Sequence, residues 1–154
     1  MEILPFKPEY AATFDRLNRA WIEEYFWIEP FDNEVLTKPD QYILKDGGEL
    51  WFAVENGEVL GCCAMIKLRE DLYEFTKLGV YEKARGKGVA RALLRHCAQR
   101  ARDLGCPSLR IYTSRKLTPA NTLYRSEGFI EQEMSDADKA RYKRGDIMYE
   151  LPLL

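Results

Sequence analysis

The run Val80-Tyr81-Glu82-Lys83-Ala84-Arg85-Gly86-Lys87-Gly88-Val89-Ala90 constrains this chain more than any other segment. It follows the strand-like stretch Tyr73–Val80 and opens a helix over Gly88–Leu104, where Val89, Leu93, Leu94, Cys97, Ala101 and Leu104 share one apolar face. Gly86 and Gly88 readily reach backbone dihedrals that other residues rarely adopt, so the chain passes from strand to helix within a short turn. Amide N–H groups at a helix start converge on one point, where the helix dipole also favours negative charge. Arg85 and Lys87 add cations, and the turn predicts a seat for a diphosphate. It is neither a Walker loop nor a dinucleotide fingerprint, since it lacks the spacing of the first and the third glycine of the second. A basic glycine turn without a ligand is the plainer alternative, because charged clusters commonly belong to solvated helix faces.

The remaining punctuation predicts a mixed sheet packed on helices. Ile3–Phe6 reads as an edge strand because of Pro5. Tyr10, Phe14, Leu17, Trp21 and Tyr25 recur at helical steps from Pro8 to Phe26, and Pro30 is expected to stop that helix. A shorter helix is expected to open at Pro39 and close at Gly47-Gly48. Leu50–Val54, Asn56-Gly57 and Val59–Leu68 form a hairpin with a type I′ turn. Gly105 caps the long helix and Pro107 prevents its continuation. Leu109–Thr113 is a strand, Thr118-Pro119 is expected to cap the next helix, and Phe129-Ile130 and Ile147–Leu151 begin the last strands. The charged run Asp136–Arg144 reads as a mobile, solvated loop.

A second constellation follows one strand after the turn. Asn121 and Tyr124 stand three residues apart and share a helix face. A core aromatic is the alternative role for Tyr124. Arg85, Gly88 and Ala90 fit the pattern Arg or Gln, two residues, Gly, one residue, Gly or Ala. Asn121, Leu123-Tyr124 and Gly128-Phe129 follow about 30 residues later. On these two motifs the chain resembles the GNAT superfamily of N-acetyltransferases. The resemblance runs through the motifs from about Tyr73 to Ile130, and elsewhere through the order of elements.

That resemblance implies one domain over residues 1–154 of α/β (α+β) type. Its mixed, mostly antiparallel sheet would have about six or seven strands with a central splay, flanked by about four helices. It implies acetyl-CoA as cosubstrate, with the pantetheine arm along the backbone of Leu78, Gly79 and Val80. The diphosphate would lie on Arg85, Gly86, Lys87, Gly88, Val89 and Ala90, and Asn121 would bond the pantetheine or adenosine side. The implied reaction is direct acetyl transfer to the primary amine of a small molecule or amino acid. A protein lysine or N-terminal acetyltransferase, or a non-catalytic CoA-binding regulatory module, is the alternative. Tyr124 is the expected general acid for the leaving sulfur and Glu74 the expected base, acting through water. By the period-two rule Glu74 shares a strand face with Thr76, Leu78 and Val80; a solvated carboxylate is its alternative. Trp27, Glu29 and Phe31, in the loop after the first helix, are the expected acceptor-binding residues.

Composition narrows the setting. A net charge of -2 supplies no global field for nucleic acid. No stretch approaches the roughly 18 apolar residues of a membrane span. The N-terminus carries no signal-like segment, so a cytoplasmic location is the expectation. The four cysteines lack zinc-pair spacing and read as buried thiols, Cys62 and Cys63 on opposite faces of a strand. No metal is called for. The only histidine, His96, is expected at the surface, and a homodimer is compatible with the resemblance.

Overall fold

The computed structural model describes residues 1–154 as one seven-stranded sheet in the order β1-β2-β3-β4-β5-β7-β6. The strands are β1 (Glu2–Pro5), β2 (Glu49–Glu55), β3 (Glu58–Arg69), β4 (Leu72–Val80), β5 (Ser108–Thr113), β6 (Ile130–Gln132) and β7 (Ile147–Pro152). The helices are α1 (Ala11–Tyr25), α2 (Pro30–Thr37), α3 (Val89–Asp103), α4 (Thr118–Ser126) and α5 (Asp136–Arg141). None is long and apolar enough to cross a membrane. All strand pairs are antiparallel except β4–β5.

The sheet separates two cores. On one face α3 and α4 bury Leu93, Leu94, Cys97 and Tyr124 against Cys63, Met65, Phe75 and Ile111. On the other, α1 and α2 bury Phe14, Leu17, Ile22 and Leu36 against Phe52, Cys62 and Ala64. Cys62 and Cys63 thus point to opposite cores, as strand alternation requires. The β2–β3 hairpin turns through Asn56 and Gly57, both at positive φ (52° and 76°), which is the geometry of a type I′ turn.

Two irregularities of β4 create the site. Its parallel pairing with β5 covers Leu72↔Ser108, Tyr73↔Leu109 and Glu74↔Arg110 and stops there. From Phe75 onward the two strands part. On its other edge β4 carries a bulge: Cys62 faces Gly79 and Ala64 faces Thr76, so Cys63 stands opposite both Lys77 and Leu78. Lys77 adopts φ of 56°, uncommon for a residue with a side chain. The bulge reverses the alternation. Tyr73 and Phe75 face the α3 core before it, and Leu78 and Val80 face that core after it. Glu74 and Thr76 therefore do not share a face with Leu78 and Val80. A strict period of two holds only along an uninterrupted ladder.

Three other expectations are corrected. Pro30 starts a helix rather than ending one: it is the first residue of α2, where its fixed φ suits a helix start and its missing N–H costs nothing. The run Asp136–Arg144 is not a free loop, since α5 begins with Ser135 and Asp138 in a reciprocal cap (Asp138 N–H to Ser135 Oγ, 3.1 Å; Ser135 N–H to Asp138 Oδ2, 3.2 Å). His96 is half-buried, its ring 4.2 Å from that of Trp51, and burial lowers its pKa.

Candidate active site

The start of α3 is an array of free donors. Gly86 and Gly88 take φ of 77° and 79°, and a methyl group built on either would meet nothing within 4 Å. The glycines are required by backbone conformation, and the space beside them is open. Arg85 N–H is spent on Glu82 O at 3.2 Å, which removes that amide from the expected cradle. The N–H groups of Gly86 through Arg91 have no acceptor in the protein. They open into a groove of about 1050 Å³ between α1 and α4, with Leu78, Gly79 and Val80 along its wall. Arg85, Arg16 and Arg91 line it as well, whereas Lys87 is exposed outside it. Gly79 has a separate purpose, since a Cβ there would press within 3.1–3.3 Å of Leu17 and require α1 to give by a few tenths of an ångström.

On the α1 side of β4, a second cavity of about 470 Å³ lies under α2 and the chain after α5. Glu74 is at its base and is 3% exposed. Tyr142 donates to Glu74 Oε1 at 2.6 Å, and its ring stacks on Tyr112 of β5 with centroids 3.9 Å apart and planes 8° from parallel. Tyr112 is held in turn, donating to Asp138 at 3.0 Å and accepting from Arg110 at 3.0 Å. Burial raises the Glu74 pKa to about 7, against a smaller opposing effect of the Tyr142 hydrogen bond. Burial, reinforced by Glu74, holds Tyr142 protonated. A carboxyl poised near neutrality beside a cavity has the properties of a proton acceptor.

Glu29 and Phe31 line this cavity, and Trp27, 69% exposed, does not. Glu29 donates its backbone N–H to Asp32 Oδ2 at 2.9 Å, which fixes the start of α2. Asp32 also pairs with Arg144. The sequence reading did not single out Tyr142, Lys77 or Arg144 as site residues. Tyr142 is the only aromatic in a charged stretch, and that contrast was its one available signal.

Tyr124 is buried among Phe75, Phe129 and Tyr149, with ring centroids 5.9–6.3 Å away, and its hydroxyl makes no hydrogen bond to the protein. Burial raises its pKa and keeps the phenol in its proton-carrying form. Its helix neighbours Ala120 and Leu123, not Tyr124 itself, line the groove. Asn121 is hydrogen-bonded within the protein. Its amide nitrogen donates to Ser114 O and Leu117 O, both at 2.9 Å, and its oxygen accepts from Tyr149 at 2.8 Å. It pins the β5–α4 connection and lies outside the groove.

The model of the Acetyltransferase (GNAT) family matches residues 12–129. The chain belongs to the GNAT acetyltransferase family. This GNAT chain is similar to N-acetyltransferase 8F1 of Rattus norvegicus, with 32% identity over 130 residues, 81% of the chain and 51% of that protein. It is also similar to N-acetylaspartate synthetase of Rattus norvegicus, with 33% identity over 99 residues, 63% of the chain and 33% of that protein. The chain thus spans about half or less of the length of the curated relatives it matches. Among solved structures it superposes on a GNAT-family acetyltransferase from Staphylococcus aureus MU50, with TM-score 0.87, 18% identity and 99% coverage of both chains. It also superposes on a GNAT-family acetyltransferase from Elizabethkingia anophelis with acetyl-CoA bound, with TM-score 0.67, 23% identity and coverage of 99% of this chain and 97% of that one. At those identities the superpositions show the fold alone.

Proposed function

We propose that the chain is an acetyl-CoA-dependent N-acetyltransferase acting on the primary amine of a small molecule or amino acid. The observation that carries this reading is the row of unbonded N–H groups from Gly86 to Arg91, set beside the parting of β4 and β5. Those donors, with Arg85, suit a diphosphate, and the open edge of β4 at Leu78–Val80 suits an extended amide-bearing arm. Acetyl-CoA supplies an acetyl group already activated as a thioester. In the overall transfer a C–N bond forms, a C–S bond breaks, the amine gives up a proton and the sulfur gains one.

The protein's own contribution is placement and proton handling. Bringing the two substrates to the β4–β5 split, one from the groove and one from the cavity, replaces a bimolecular encounter. Glu74, anionic above about pH 7, accepts the proton of the incoming amine. Tyr124, kept protonated by burial, is the donor for the sulfur. Aromatic walls from Trp21, Phe26, Phe31 and Tyr42 and a volume of about 470 Å³ favour a metabolite over an extended peptide. The test is thermal shift with acetyl-CoA, then thiol release across a panel of amines and peptides. Binding raises the melting temperature by mass action, and thiol release depends on a small amine. No shift at millimolar acetyl-CoA would refute the reading.

A further inference from the structure

The charges around the acceptor cavity do not cancel within the protein. Three carboxylates line it, Glu29, Asp32 and Glu74, against four cations, Lys77, Arg141, Lys143 and Arg144. Asp32 is committed to Arg144 and to the Glu29 N–H. Glu74 is hydrogen-bonded to Tyr142 and sits where burial disfavours its charge. Lys77 forms no ion pair or hydrogen bond, and its electrostatic neighbours are Glu74, Asp32 and Arg144. Burial lowers its pKa, as expected of an ammonium drawn out of water.

Arg144 is unfinished in another way. One terminal nitrogen is on Asp32, and the other, Nη1, is buried without a hydrogen-bond partner, while the guanidinium lies over the Phe26 ring, 5.7 Å from its centroid. A buried guanidinium nitrogen without an acceptor is costly, and its planar fork matches a carboxylate. The backbone points the same way. By simple alternation Lys77 would face the α3 core with Tyr73 and Phe75, and it lines the acceptor cavity because of the bulge and its left-handed φ of 56°.

We propose that the acceptor bears a carboxylate as well as its amine, and that Lys77 and Arg144 seat that carboxylate while Glu74 and Tyr142 face the amine. The substrate class is an amino acid or a compound of that chemistry. This rests on reading the cavity as the acceptor site of an acetyltransferase, and goes beyond it by naming a second anchoring group and the residues that hold it.

The test compares each common amino acid with its amide and its decarboxylated amine, by thiol release from acetyl-CoA and by thermal shift in the presence of CoA. At least one amino acid should be turned over about tenfold or more better than its amide and amine, the scale of a lost charge-assisted hydrogen bond. Lys77→Met should collapse that acid-over-amide ratio, chiefly through KM. Arg144→Lys, which keeps a charge beside Asp32, should narrow it and guards against an unfolded Arg144→Met variant. Amides or simple amines used as well as acids, or variants that lower both classes equally, would overturn the proposal. Carboxylate-dependent thermal shifts without any thiol release would instead support the carboxylate seat and overturn the acetyltransferase reading. Neither thiol release nor acid-selective shifts would overturn both.

Discussion

Glu74→Gln separates a proton-carrying carboxyl from a merely packed one, because it keeps the shape and removes the charge. In the folded chain burial raises this group from 4.5 to about 7, so the native state keeps a proton that the unfolded chain surrenders. The stability contributed by the group is complete below pH 4.5 and is lost as pH rises through about 7. At 1.36 kcal/mol per pH unit the loss is about 3 kcal/mol. Urea unfolding of both proteins at pH 5 and pH 8 measures it as a change in their difference. The native chain should lose about 2–3 kcal/mol relative to the glutamine variant across that interval. In thiol-release assays kcat/KM of the native enzyme should rise with pH along a limb near 7. The variant should lose that limb and about a hundredfold in rate. A stability difference that is the same at both pH values, together with a retained limb, would refute the assignment.

Tyr142→Phe removes a hydrogen bond that lowers the Glu74 pKa, so the rising limb of the pH–rate profile should move to higher pH; a limb that stays put or moves down would contradict the coupling. Tyr124→Phe should lower kcat by about a hundredfold and leave the acetyl-CoA thermal shift unchanged, and full turnover would remove Tyr124 from the acid role. Asn121→Ala breaks three hydrogen bonds, two of them buried, and should cost about 2–4 kcal/mol in urea unfolding, a stability effect that a ligand-contacting role alone would not produce.

The scaffold was readable where local chemistry dominates. Asn56-Gly57 admits one tight hairpin, the apolar stripe from Val89 to Ala101 admits one helix face, and Gly105 and Pro107 end that helix. The row of unbonded amides at the start of α3 was readable because its donors are backbone groups whose placement follows from two glycines at a helix start. The acceptor side was not, because it is assembled by tertiary contacts. Tyr142 meets Glu74 across 68 positions of sequence, and Arg144 meets Asp32 across 112. The bulge at Lys77 leaves no composition signal, yet it decides which side chains face the α1 and α3 cores. Pro30 was ambiguous for a physical reason, since the same ring that cannot continue one helix is well suited to begin another. Asn121 was placed on a helix face with Tyr124, but a motif position does not reveal its hydrogen bonds to Ser114, Leu117 and Tyr149.

The central claim is that unbonded amides at the start of α3, and the freed edge of β4, receive the cosubstrate. Amide resonances followed by NMR during titration with CoA test it most directly. The account predicts that Gly86 through Arg91 and Leu78 through Val80 shift with saturation while the amides of β1 and β6 do not. Saturable binding that leaves Gly86–Arg91 unmoved would contradict it.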